Sequence, residues 1–188
     1  LSALNWQLPK DCWISGFAEV EPGFHPRYDA RYRTYRYYFG TDNLDEKAMD
    51  SGARLFCGTH DFSVFARSSE RNPCRTILSA SVWSESGTCI FEVTGESFLW
   101  SMVRLMAASL RRIGEGDEGE ESIVLRLLGK RLSPLSPAPA DGLILWDVNC
   151  GITFLPVPVE GRRQAFLIQL REHHTALGRV VRDLGGSA

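Results

Sequence analysis

The stretch RYRTYRYYF, residues 31–39, sets three arginines and four tyrosines in nine positions. A guanidinium attracts phosphate, and an aromatic ring gives a nucleobase a surface to stack on. That combination points to nucleic acid as one candidate partner. Tyr and Thr favour strands, and neither Gly nor Pro interrupts the run, so an extended strand is expected. One face would then carry Arg31, Arg33, Tyr35, Tyr37 and Phe39, and the other Tyr32, Thr34, Arg36 and Tyr38. The same alternation also describes a half-buried strand with phenol groups at its rim and arginines in water.

Other candidates are fewer. His60 and Asp61, in GTHDF, offer a base beside a carboxylate. They equally suit a local hydrogen bond that locks the segment following a helix. Ser97, Ser101, Arg104, Ala108 and Arg111 recur at helical spacing, which by itself describes a solvated polar stripe. His173 and His174 are adjacent, without partners at metal-ligand spacing, and no metal is expected there. Cys12, Cys57, Cys74, Cys89 and Cys150 are scattered, odd in number and lack a C-x-x-C pair. Free thiols of a cytoplasmic protein are expected rather than disulfides or zinc. No Gly-rich phosphate loop, H-E-x-x-H or G-x-S-x-G occurs.

The elements that must position these residues can be read along the chain. WISGFAEVE, 13–21, reads as a strand, followed by a Pro-containing connector, FHPRYD, and the strand to about Phe39. Residues 40–58 read as a helix, capped by Asp42 or Asn43 and stopped by Gly58. RSSERNPC, 67–74, is a loop. Residues 75–86 and 89–96 form a hairpin around Gly87 and Thr88. Residues 97–114 give the strongest helix, capped by Ser97, with a stripe of Phe98, Met102, Leu105, Ser109 and Ile113. EGDEGEE, 115–121, reads as a solvated acidic loop, and 122–130 as a short helix. SPLSPAPADG, 133–142, holds three of the nine prolines and is a loop, and 143–150 is a strand. Residues 164–184 read as an amphipathic helix with Phe166, Leu170, Leu177, Val181 and Leu184 on one side.

From residue 31 the order is β, α, β, β, α, α, β, a split β-α-β-β-α-β unit with one added helix. An α+β fold follows, with a mostly antiparallel sheet and helices packed on one face. Three parts are expected: a connector and strand over 1–30, a domain over 31–150 and a helical tail over 151–188. At 188 residues, 44% hydrophobic and 23% charged, the chain has the composition of a globular domain. Its apolar runs fall far short of a membrane span. The net charge of −2 argues against indiscriminate nucleic-acid binding, although Arg27, Arg31, Arg33 and Arg36 cluster locally, as do Arg67, Arg71 and Arg75.

Five fragments become specific in combination: RTYRY (33–37), GTHDFSVF (58–65), RTI (75–77), GESFLWSMVR (95–104) and PAPADGLIL (137–145). In that order they resemble the TruA-type tRNA pseudouridine synthases over about residues 4–150. The resemblance implies isomerisation of uridine to pseudouridine in the tRNA anticodon stem-loop, without metal or redox cofactor. It implies a cytoplasmic homodimer with tRNA spanning both subunits. By its place in RTYRY, Tyr35 would stack on the target uracil. Arg104 would face the family's catalytic aspartate, and Leu143 would pack against the base. Arg33, with Arg31, would meet phosphate. The family's G-R-T-D-A-G-V-H-A type motif is absent. GTDN, 40–43, shares three letters with it but lacks the continuation and follows the RTYRY strand, so Asp42 is not the nucleophile. The chain is therefore expected to be the carboxyl-terminal portion of such an enzyme, inactive alone. It would expose surface that the other half covers, because the family fold joins two related halves in one sheet with the cleft at its centre. The alternative is an RNA-binding module without catalysis.

Overall fold

The computed structural model describes residues 2–40, 43–67, 72–130, 132–158 and 161–185. Contacts divide the chain into two units, His25–Gly151 and a second made of Leu1–Phe24 with Ile152–Ala188.

The second unit contains helix α1 (Ser2–Gln7), a two-residue strand β1 (Gly16–Phe17), its partner β7 (Leu155–Pro156) and helix α5 (Gly161–Gly185). The expected strand over 13–21 is thus reduced to Gly16–Phe17. Arg163 is buried and donates to the carbonyls of Asn5 and Cys12. The expected apolar side of α5 is covered only in part: Phe166 is half-buried, Leu170 and Leu177 are exposed, and the side chains of Val181 and Leu184 lie outside the described residues.

The larger unit is the α+β domain. Its sheet runs β3 (Gly58–Asp61), β4 (Cys74–Glu85), β5 (Thr88–Gly95), β2 (Tyr32–Tyr38), β6 (Leu143–Asn149), in that spatial order and antiparallel throughout. Helices α2 (Glu46–Arg54), α3 (Met102–Gly114) and α4 (Glu121–Leu127) complete it. The split β-α-β-β-α-β order is present, with β3 added at the edge. Strand β3 carries no strand signal in the sequence, because four residues with one β-branched side chain show no alternation. Pairing with Cys74–Ile77 of β4 makes it a strand.

The core lies between the helices and one sheet face. Tyr37 and Phe39 from the β2 segment, Phe91 and Val93 from β5, and Met102, Leu105, Met106 and Leu110 from α3 are all buried there. The strand's two faces separate as its alternation requires. Tyr35, Tyr37 and Phe39 turn toward this core, while Arg36 lies against Trp146 at 3.7 Å from the ring centroid and bonds Glu92 at 2.7 Å.

Helix α2 begins at Asp45, whose carboxylate accepts the Ala48 amide at 3.0 Å. This corrects the expected cap: Asn43 lies two residues earlier, and Asp42 lies outside the described residues. The helix ends at Arg54, and Gly58, with φ +107°, opens β3 instead of stopping α2. The acidic loop is also not wholly solvated. Arg126, 1% exposed, donates to both Glu118 oxygens at 2.6 and 2.9 Å, and Arg112 joins at 2.9 Å. A buried arginine without such a partner would be strongly unfavourable, so the loop folds back to supply one.

Candidate active site

The helix expected to start at Ser97 starts at Met102. Residues 96–101 instead cross the end of the sheet, because packing there outweighs helix propensity. The Glu96 amide donates to the Thr76 carbonyl at 3.1 Å. Phe98 meets Tyr35 edge-on, with centroids 5.0 Å apart at 80°. Leu99 is buried, and Met102 donates its amide to the Leu99 carbonyl at 3.1 Å. Glycine at residue 95 leaves room for this approach: a Cβ there would lie 3.0 Å from the Thr76 carbonyl oxygen, 2.9 Å from Ile77 Cδ1 and 3.0 Å from Phe98 Cζ.

Ser101 takes the N-cap position in the left-handed region, φ 65°. For a non-glycine residue that conformation costs about 1–2 kcal/mol. It is held by the Leu105 amide, which donates to the Ser101 carbonyl at 3.0 Å. Backbone strain of this kind concentrates where a side chain must be aimed.

The result is an open cleft of about 380 Å³ whose walls include Arg27, Tyr35, Phe98, Trp100, Arg104 and Leu143. Tyr35 comes from β2, Arg104 from the first turn of α3 and Leu143 from the start of β6. Three of the four residues singled out in the sequence therefore share one cavity. Tyr35 is half-buried, with its ring on the cleft. Tyr37, two residues on, is the buried tyrosine. Burial raises its phenol above the ordinary value, opposed by the charges of Arg111 and Arg104, so it stays protonated in the core.

Arg104 is fixed by the proline-rich loop. Its Nε donates to the Ala138 carbonyl at 2.6 Å, and the Ala138 amide donates to the Arg104 carbonyl at 3.1 Å. Pro137 and Pro139 flank Ala138 and restrict the loop around that contact. The remaining guanidinium nitrogens have no protein hydrogen bond among the described residues, which leaves a fork suited to a carboxylate. The same loop delivers Leu143 opposite Tyr37. Gly142 makes this possible, since a Cβ there would lie 2.6 Å from the Tyr38 carbonyl oxygen.

Arg33 is not among the cleft's lining residues. Its Nη1 donates to the carbonyls of Ala30 and Glu96, at 3.2 and 2.7 Å, and its Nη2 to that of Arg27. It thereby ties the connector carrying Arg27 to the segment carrying Phe98. His60 and Asp61 do not pair with each other. His60 Nε2 bonds the Cys57 carbonyl at 2.9 Å, and Asp61 accepts the Ser63 amide at 2.8 Å, the local locking arrangement. His173 and His174 are exposed, and no group of three metal-ligating side chains occurs among the described residues.

Sequence reasoning missed Phe98 and Trp100 as cleft residues. Phe98 fits the apolar stripe of the following helix, so its period concealed it. Trp100 lies within the GESFLWSMVR fragment, where the resemblance assigns a role only to Arg104.

An antiparallel α+β domain with an aromatic wall facing a fixed guanidinium is a chassis for handling a planar group beside an anion. A family model described as tRNA pseudouridine synthase matches residues 53–149. The chain is 46% identical over 181 residues to the tRNA pseudouridine synthase A of Methanosphaerula palustris, covering 96% of this chain and 65% of that protein. It is 45% identical over 180 residues to that of Methanoculleus marisnigri, covering 96% and 66%. With the enzyme of Pyrococcus furiosus the identity is 41% over 141 residues, covering 74% and 53%. The chain belongs to the tRNA pseudouridine synthase family. It spans 65% of the length of the first of these relatives.

Proposed function

We propose that this domain forms one wall of an active site that isomerises uridine to pseudouridine in tRNA. The convergence of Tyr35, Arg104 and Leu143 on one cleft carries the reading. In this reaction the bond from ribose C1′ to base N1 breaks, the base turns, and C5 bonds to C1′ while releasing its hydrogen. A uridine drawn out of its helix loses stacking, and the Tyr35 ring restores part of it. Leu143 packs against the base. Arg104 keeps a catalytic carboxylate ionised and aimed.

That carboxylate is supplied by sequence outside these 188 residues, and the domain alone is inactive. Strand β6 lies at the edge of the sheet and pairs there with β2, which supports continuation of the sheet into the part that carries it. Arg33 acts by holding the Arg27 connector against the cleft, with phosphate contact falling to Arg27. The substrate is a uridine in the anticodon stem-loop, and the working enzyme is a cytoplasmic homodimer that needs neither metal nor redox cofactor. No helix among the described residues is long and apolar enough to cross a membrane.

The test is tritium release from tRNA labelled at uridine C5, using the intact protein. Release dependent on Tyr35 and Arg104 is expected. Tight tRNA binding without release would favour an RNA-binding module without catalysis.

A further inference from the structure

Trp100 is 66% exposed, more than Trp6 at 60% or Trp146 at 51%. Trp146 and Trp83 are engaged with Arg36, and Trp13 with Arg163. Trp100 has no ring or cation partner among the described residues, yet its backbone is firmly held. The buried residues Leu99 and Met102 bracket it, the Arg67 amide donates to its carbonyl at 3.2 Å, and Ser101 adopts its left-handed conformation immediately after it. A strained and anchored segment thus presents an unoccupied indole on the wall of the cleft that also holds Tyr35. A single uracil is accounted for by Tyr35 and Leu143, and Trp100 remains. Arg27 lines the same cleft, its carbonyl fixed by Arg33, and supplies a cation for the backbone of a bound strand.

We propose that Trp100 is the stacking platform for a base adjacent to the target uridine, so that the cleft grips two neighbouring nucleotides. This inference rests on the pseudouridine synthase reading and extends it to the RNA around the target. Every base has a π-face, so the contact would strengthen binding with little dependence on which base flanks the uridine.

The test measures binding of the intact protein to a stem-loop RNA, and tritium release from the same RNA. Trp100→Ala is expected to weaken binding by about 5- to 150-fold, Trp100→Phe to retain most of it, and Trp100→Leu to resemble the alanine variant. Replacing the nucleotide on one side of the target by an abasic residue should weaken wild-type binding but leave Trp100→Ala nearly unchanged. The side chain is largely exposed, so a normal melting temperature is expected, and the abasic comparison in wild type requires no variant to fold. Wild-type affinity in Trp100→Ala, equal binding by the Phe and Leu variants, or abasic effects of the same size in wild type and Trp100→Ala on both sides would each overturn the proposal. Tritium release by wild type alongside any of these would leave the enzymatic reading intact. Absence of release from wild type would overturn that reading instead.

Discussion

Arg104 and Ala138 are tied to each other twice. The arginine Nε donates to the alanine carbonyl at 2.6 Å, and the alanine amide donates to the arginine carbonyl at 3.1 Å. One bond orients the guanidinium and the other aligns the loop with the first turn of α3. Replacing the arginine therefore removes the bond that aims the fork together with its charge, while the backbone bond from the Ala138 amide remains.

Arg104→Lys should therefore be nearly as damaging as Arg104→Ala. Lysine keeps a positive charge but has no planar fork with an Nε–H directed at Ala138. A displacement of about 1 Å at a catalytic group lowers turnover roughly 100-fold. Single-turnover kinetics should show a loss of that order, with tRNA affinity changed only a few-fold. A lysine variant at wild-type speed would remove the orienting role.

Tyr35→Ala and Tyr35→Phe separate the ring from the phenol. Stacking on a base contributes about 1–3 kcal/mol, and that part belongs to the ring. The alanine variant should slow tritium release severely, while the phenylalanine variant should keep RNA affinity. Any further slowing in the phenylalanine variant measures the phenol's own part in moving the C5 proton.

Arg33→Ala should act on binding more than on chemistry. The side chain bonds three carbonyls, on Ala30, Glu96 and Arg27, and the site is partly exposed, so a stability loss of about 1–2 kcal/mol is expected. Freeing the Arg27 connector should raise KM for tRNA while kcat falls less. A fall in kcat at constant KM would contradict this positioning role.

The pair of Glu118 and Arg126 predicts a pH signature in stability. Hydrogen bonding from Arg126 holds the Glu118 carboxyl below its ordinary value, outweighing the opposing effect of burial. A folded-state pKa below the unfolded one adds stability above the unfolded pKa, and this is lost as pH falls through the folded pKa. Glu118→Gln leaves Arg126 buried without its counter-charge, and a loss of about 3 kcal/mol at neutral pH is expected. Denaturant titrations of wild type and variant should converge as the pH drops below the ordinary glutamate range. A constant gap from neutral pH down to strongly acidic pH would sink this assignment.

Much of the domain follows from local pattern. The alternation of RYRTYRYYF decides which residues face the helices, and the apolar period of Met102, Leu105, Ser109 and Ile113 decides which face of α3 is buried. The hairpin of β4 and β5 was legible from Gly87, but its two turn residues are Ser86 and Gly87 rather than Gly87 and Thr88, because Thr88 already pairs with Glu85 in the sheet. These features were legible because a period of two or of 3.6 needs only neighbouring residues to express it.

The cleft was legible only in part. Tyr35, Arg104 and Leu143 stood out through fragments resembling a family, whereas composition and spacing left each with a plain structural reading. Three things came only from the assembled tertiary structure. Residues 96–101 leave the helix, with Phe98 set edge-on against Tyr35 and Leu99 buried. Arg33 is turned onto backbone carbonyls, because the connector and the β5 end meet there. Arg126 is buried, because the acidic loop returns Glu118 to it. Each depends on groups distant in sequence and brought together by packing, and no local period encodes such a meeting.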